Sequence, residues 1–469
     1  MRVRRTVPTL CIVILSTLFA AQSPAQPTPA AAAQPAPAAA APRVVHGLKR
    51  CLELAEQNYP KIQEARAKLA QKKAQYAQAQ TQPFSEFTFT SSAFTAPEVR
   101  GTSLYSQSSD IPIDSKWGMG WQIGVEGTLP LYTFGKITNL WDAAQAQIKV
   151  GENEVSKEKN DLRLGVRRAY FGVLLARDAL MLVREARDRV EKYVKRLEEQ
   201  VENGDAEEVD LLKLKIQRED LIARESEARK QEANALAGLR FLTGLTSGIE
   251  LPDHALLPLP HHLAPLARYL SAARLYRPEI NMARAGVLAR EAQVRLETSR
   301  FFPDLGIAVV AKYTNAPEVT DQRNPFVVDA AHSRPMGAAL VLRYKLDMFP
   351  QAARYRQAKA QLEEIRATER FALGGVGVEV EQAFRDAEDA DRRLAAFTRA
   401  TGYAKRWLLQ VQQGIDIGTS EDKDVVDPAK EYALRRFSQM SATFDYNLAI
   451  SKLAQATGWD AIASSDADL

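Results

Sequence analysis

Cysteine is almost missing from this sequence, with two among 469 residues. Cys11 lies inside an apolar N-terminal run, which leaves Cys51 alone, so no internal disulfide is expected. Histidine is scarce as well, and the adjacent pair His261-His262 sits in a Pro/Leu-rich stretch without cysteine or paired acids at ligand spacing, which points away from a metal centre. No glycine-rich phosphate loop follows a strand-like segment, and no nucleophile stands beside a base, so neither a cofactor nor an enzyme activity is expected. Basic residues (62) and acidic residues (58) nearly cancel to a formal charge of +4, which argues for no nucleic-acid partner. Beyond Phe19 no apolar run approaches the ~20 residues that a membrane-spanning helix requires. Proline is absent from Gly135 to Gly244, a charged, alanine-rich stretch with one break at Asn203-Gly204-Asp205.

That stretch returns later in the chain. Gly244 and Gly458 lie 214 positions apart, as do Gly204 and Gly418, Asp210 and Asp424, Ala169 and Ala383, and Ala144 and Ala358. Pro60-x-Ile62-x-x-Ala65-Arg66-Ala67 matches Pro278-x-Ile280-x-x-Ala283-Arg284-Ala285 at an offset of 218. Small and apolar positions recur while the charges between them drift, the mark of a duplicated packing unit. About 68 helical residues before the break would reach roughly 100 Å. Leu214, Leu221, Ala228, Ala235 and Leu242 recur every seventh position, a coiled-coil period on a charged background.

Between the helical segments the period drops to two. Trp117, Met119, Trp121, Ile123 and Val125 alternate with small or polar residues, and so do Leu305 to Tyr313 and Met336 to Tyr344; the segment from Phe84 to Thr95 is the weakest of the four. Two such strands per repeat cannot close a sheet, and about ten residues of oily-out, polar-in pattern suit an outer-membrane barrel wall completed by other copies. Met1-Arg-Val-Arg-Arg5, the run Val7 to Phe19 and the alanines after it read as a cleaved signal peptide over 1–25. An Ala/Pro-rich tether is expected to be disordered over 26–47. The first repeat is placed at 48–246 (strands about 84–96 and 117–130, hairpin about 135–243), a Pro-rich connector at 247–265, the second repeat at 266–458 (strands about 303–314 and 336–346, hairpin about 350–457) and a tail at 459–469.

The chain resembles the TolC-like outer-membrane efflux protein family. The residues that carry the likeness are Leu129-Pro-Leu-Tyr-Thr-Phe-Gly135, the Ala169-Tyr170 and Ala383-Phe384 pairs, Gly204 and Gly418 with Asp210 and Asp424 six residues on, and Asn447-Leu-Ala near Ala456-Thr-Gly458. The resemblance implies a mainly α chain whose antiparallel helical hairpins form an α-barrel. It also implies a homotrimer in which each chain gives four strands to a twelve-stranded transmembrane β-barrel. Such proteins are passive ducts in the Gram-negative outer membrane with a long periplasmic extension. They serve efflux or type I secretion and work with a periplasmic adaptor and an inner-membrane pump of RND or ABC type. Asp424 and Asp427 match acidic positions that line the closed entrance in the family. Three apart on a helix, they would share a face and form rings of carboxylates under threefold symmetry; alternatively, Asp427, before Pro428, caps a helix. Gly204, Asp210, Gly418 and Asp424 mark the tips for adaptor docking, and Trp117, Met119, Trp121, Ile123, Val125, Leu340, Leu342 and Tyr344 mark the lipid-facing strands. Met348-Phe-Pro350 departs from the family's turn. Gly374-Gly375 and Gly377 inside the second long helix imply bending or a close helix approach. The alternative is a periplasmic coiled-coil adaptor or scaffold.

Overall fold

Two prolines at matched positions set how each half of the chain begins. Pro60 and Pro278 cannot donate a backbone hydrogen bond and fit a first helical turn; the residue before each is held extended, Tyr59 at φ −68°, ψ 122° and Arg277 at φ −67°, ψ 124°. A short helix therefore breaks and restarts in both repeats. The computed structural model describes residues 45–84, 86–98, 116–204, 206–245, 249–320, 326, 329–419 and 422–458. The helices there are α1 (Leu48–Asn58), α2 (Pro60–Thr81), α3 (Lys136–Glu202), α4 (Glu208–Thr243), α5 (Leu266–Tyr276), α6 (Pro278–Ser299), α7 (Met348–Asp416) and α8 (Val426–Thr457). The strands are β1 (Phe87–Pro97), β2 (Trp117–Tyr132), β3 (Asp304–Asn315), β4 (His332–Ser333) and β5 (Met336–Arg343).

Helices α3 and α7 run 67 and 69 residues, roughly 100 Å each. α3 packs along α4, α7 along α8, and α3 also lies against α8, which joins the two hairpins. Of the sevenfold stripe on α4, Ala228 is buried and Leu214, Leu221, Ala235 and Leu242 are half-buried. Helix α7 continues unbroken through Gly374, Gly375 and Gly377. A side chain at any of these would meet nothing within 4 Å, so no close helix approach occurs there inside this chain. Pro350 falls in the first turn of α7.

The two cores use matched positions. Cys51, Ala55, Ile62, Leu162, Val166 and Leu239 are buried in one; Tyr269, Ala273, Ile280, Val376, Val380 and Leu453 are buried in the other. Each hairpin closes on its entry helices in the same way. A Cβ on Gly244 would stand 2.6 Å from Asn58 at the α1–α2 break, and one on Gly458 would stand 2.7 Å from the Tyr276 backbone at the α5–α6 break. Burial pushes the Cys51 thiol up to about 11, as suits a core residue and not a nucleophile.

Long-range polar contacts hold the connector. Asn447 is wholly buried; its Oδ1 accepts from Leu259 N at 2.8 Å and its Nδ2 donates to Leu257 O at 2.9 Å. Asp178 Oδ2 accepts from Leu256 N at 2.9 Å. His261 contacts the Tyr269 hydroxyl at 3.2 Å, and its pKa is lowered by burial and then by His262.

Several boundaries differ from expectation. Of the tether expected over 26–47, residues 45–47 are ordered against the connector: His46 N donates to Glu250 O at 2.7 Å, and Val45 forms a parallel bridge to Glu250. Phe84 belongs to a 3-10 turn (Gln82–Phe84), and the strand starts at Phe87. The last strand ends at Arg343, which pairs with Asp304, the first residue of its partner strand. Tyr344 is therefore outside the strand. The signal segment, the tail at 459–469 and most of the loop after Pro97 lie outside the described residues.

Candidate functional site

Two regions combine residues that the hydrophobic core does not explain. The first is the sheet. β1 pairs with β2, β2 with β3, and β4 and β5 both with β3, all antiparallel. Lys312 N donates to Pro335 O at 2.9 Å between β4 and β5, so these two are one edge interrupted at Arg334-Pro335.

Register decides which side chains share a face. Phe89 lies opposite Val125, Val125 opposite Ala311 and Ala311 opposite Met336; Leu129 lies opposite Ile307 and Ile307 opposite Leu340. Four separate oily alternations thus become one continuous apolar face. Trp117 on it is 65% exposed, Phe89 66%, Leu340 68% and Leu342 67%; Met119, Trp121, Ile123 and Val125 are exposed too. Tyr344 is exposed, but one residue past the ladder. Trp121 and Tyr313 bring their rings to 5.0 Å across strands on this face. The opposite face carries Thr88, Thr90, Gln122, Glu126, Lys312 and Arg343, and Arg343 donates to Thr128 Oγ1 at 3.1 Å. Where sheet meets helix, Tyr132 meets Phe134 edge-on with centroids 4.7 Å apart, and Phe134 stacks on Phe302 at 5.3 Å. Lys136 at the start of α3 donates to Asp304 Oδ1 at 2.8 Å, which ties the first long helix to the start of β3.

The second region is the pair of hairpin turns. Gly204 (φ +80°) and Gly418 (φ +75°) each follow a helix end in the left-handed conformation, where a side chain would be strained. Asp210, in the first turn of α4, accepts from Lys213 at 2.8 Å. No side chain caps α4 at Glu207, and Asp205 lies outside the described residues.

At the second turn Thr419 N donates to Gly414 O at 2.8 Å, and a 3-10 helix (Asp422–Val425) leads into α8. Asp424 and Asp427 are both exposed, but they do not share one α-helix. Asp424 sits in the 3-10 turn and Asp427 in the first turn of α8. The cap position is Val425, so Asp427 is not the cap and lies in the first turn, where its charge also favours the helix dipole. Val425, the last residue of the 3-10 turn, is buried, and α8 follows from Val426 with Pro428 in its first turn.

Two features escaped sequence reasoning. Glu225 on α4 is buried among three arginines, accepting from Arg184 at 3.1 Å and Arg229 at 2.8 Å and also from Arg187. Only the Glu225-Arg229 spacing was visible in the sequence; the other two partners come from across the hairpin. A cavity of about 420 Å³ under the connector, lined by Asp178, Asp391, Arg436 and Tyr446 among others, likewise needed the tertiary fold. Burial raises the Asp178 pKa, an effect the Leu256 amide and the Arg436 charge oppose. Among the described residues no cluster of three metal-ligating side chains is present, and no helix is long and apolar enough to cross a membrane.

Comparison with known proteins places these features in context. The family model described as outer membrane efflux protein matches residues 51–245 and 269–459. Protein CyaE of Bordetella pertussis is 28% identical over 275 residues, 57% of this chain, and the chain spans 54% of CyaE's length. Outer membrane protein TolC of Vibrio cholerae is 22% identical over 352 residues, covering 71% of this chain and 76% of TolC. Among solved structures, the Campylobacter jejuni CmeC outer membrane channel superposes with a TM-score of 0.71 at 16% identity, covering 88% of this chain and 85% of CmeC. The open state of the Neisseria gonorrhoeae MtrE outer membrane channel gives 0.69 at 15%, covering 88% of each chain. At such identities the structural likeness speaks to the fold.

Proposed function

Because this chain belongs to the outer membrane efflux protein family, we propose that it is an outer-membrane exit duct, a passive conduit from periplasm to exterior for efflux or type I secretion. One observation carries this reading. The sheet presents a continuous oily face to its surroundings and ends in two unpaired edges, with no described element laid over either. In water such a surface would cost about 25 cal/mol for each Å² left wet. In lipid it costs nothing, provided the edges close.

Closure requires further copies. Three chains giving four strand positions each make a twelve-stranded barrel with the polar face inward, where Gln122, Glu126, Lys312 and Arg343 meet water. The aromatic cluster Tyr132-Phe134-Phe302 then falls at a membrane boundary, where amphipathic rings are favoured. The long helices extend into the periplasm, and the turns at Gly204 and Gly418 meet an adaptor protein coupled to an inner-membrane pump of RND or ABC type. Asp424 and Asp427 line the entrance as rings of carboxylates, attracting cations and repelling anions.

The test is conductance of the purified protein in planar bilayers. Stable, cation-preferring channels are expected, with the preference reduced when Asp424 and Asp427 are both replaced by alanine. Unchanged selectivity in that variant removes the two residues from the gate; no conductance at all removes the duct.

A further inference from the structure

A single arginine sits on the oily face of the sheet. Ala311 pairs with Met336 and Thr314 with Ser333, and Lys312 N meets Pro335 O between them, so Arg334 lies opposite Tyr313 with the register unbroken. Arg334 Cζ stands 4.9 Å from the centre of the Tyr313 ring, a cation over an aromatic face, and that ring is 5.0 Å from Trp121. A guanidinium, a phenol and an indole thus gather toward the end of the face that lies away from the helices.

Height along the wall places this end. From Tyr132, in the aromatic cluster beside the helices, to Trp121 is about eleven residues of β2, roughly 36 Å along the strand and roughly 28 Å of height at the usual barrel tilt. That matches the apolar band of an outer-membrane wall, so the two aromatic groups mark its two borders. An arginine facing lipid is tolerated at a border and not at the midplane, because only at a border do its donors reach acceptors.

The chain itself supplies no acceptor. Among the described residues, no hydrogen bond or ion pair engages the Arg334 guanidinium, the Tyr313 hydroxyl or the Trp121 indole N–H. Asp329, the preceding acid in the chain, is taken by His332 at 2.8 Å and by Ala331 N at 2.8 Å. Closure would lay β1 of a second copy along this edge, and β1 has no charged residue from Phe87 to Pro97.

We infer that Arg334, Tyr313 and Trp121 form a binding site for the phosphate of a membrane-lipid headgroup, at the border of the wall away from the helices. The guanidinium takes two phosphate oxygens as a fork, the phenol and indole add donors, and the acyl chains run down the oily face past Met336 and Leu340. A phosphate monoester is favoured over a zwitterionic headgroup, whose own ammonium competes with the arginine for the same oxygens.

This inference rests on the proposed duct, since only a closed wall puts this face in lipid. Its test is native mass measurement of the full chain extracted in detergent, with phosphatidic acid, phosphatidylcholine or inorganic phosphate added. The oligomer is expected to bind phosphatidic acid about tenfold more tightly than phosphatidylcholine, and inorganic phosphate, which has no chains to lie on the apolar face, is expected not to displace it. Arg334→Gln should bring the two lipids level, Arg334→Lys should keep part of the preference, and Lys312→Gln, at the same height on the opposite face, should keep all of it. An oligomer with no preference, or one whose preference survives Arg334→Gln, overturns the lipid site and leaves the duct standing. Displacement of the lipid by an equal concentration of inorganic phosphate reduces it to a simple anion site and overturns the lipid assignment. A chain that is monomeric in the same measurement overturns both.

Discussion

The two repeats have the same interior and different surroundings. Val166 and Val380, Ile62 and Ile280, and Leu239 and Leu453 are each 0–1% exposed at matched positions. Away from the core the match fails. Helix α8 lies between α3 and α7 and buries Asn447, Ser451 and Ala454, whereas the corresponding Ala233 and Ala237 of α4 are exposed. Duplication preserved the packing inside each hairpin, and the unequal burial shows which flanks a single chain leaves open.

The largest effect expected from disturbing this comparison is at the paired glycines. Gly458→Ala should cost about 3 kcal/mol or more, since it forces a Cβ against the Tyr276 backbone at positive φ. Gly244→Ala should cost about as much, because a Cβ there meets the Asn58 Cβ, an atom that the backbone fixes, also at positive φ. Denaturant midpoints of detergent-solubilised protein would show both losses, and a near-neutral result at either glycine would mean that the two closures are not equivalent.

Asn447→Ala comes next, at about 2 kcal/mol, because it leaves the Leu259 amide and the Leu257 carbonyl unpaired. The matched Ala233 carries no such bond, so Ala233→Ser should change the midpoint by less than about 0.5 kcal/mol. Proteolysis of the connector offers a second readout, with faster cleavage expected in Asn447→Ala alone.

A smaller loss, about 1 kcal/mol, is expected for Glu225→Gln, since the arginines around Glu225 are themselves partly solvated and lose little. High salt should narrow the difference from the unsubstituted chain.

The smallest effect concerns pH. The Asp178 pKa is raised by burial, so the folded state binds the proton more tightly than the unfolded one. Its contribution to stability is then fully present below the ordinary carboxylate pKa and is lost as pH rises through the raised folded value. Asp178→Asn keeps an acceptor for Leu256 N without the buried charge. It should match or slightly exceed the parent above that window, as read from unfolding midpoints across pH; a clear loss there would assign the carboxylate a stabilising role.

What the sequence made legible was local or periodic. The offsets of 214 and 218, the long helices and the period-two strands follow from residue spacing, and register then merged the strands into one face. Contacts between distant positions were not legible: nothing near Asn447 announces the connector 188 residues away that it binds. The Asp424-Asp427 pair was read as helical because three-residue spacing fits a helix, but the boundary between a 3-10 turn and α8 falls between the two residues. The last strand stops before Tyr344 because its partner begins at Asp304, which no inspection of its own residues would reveal.

The central claim is that several copies of this chain close one wall in lipid. Membrane fractionation followed by native mass measurement of the detergent-extracted protein tests it directly. A species of three chains recovered from the outer-membrane fraction and separated into single chains only by heat is the expected result. A chain that remains monomeric and dissolved without detergent would contradict it.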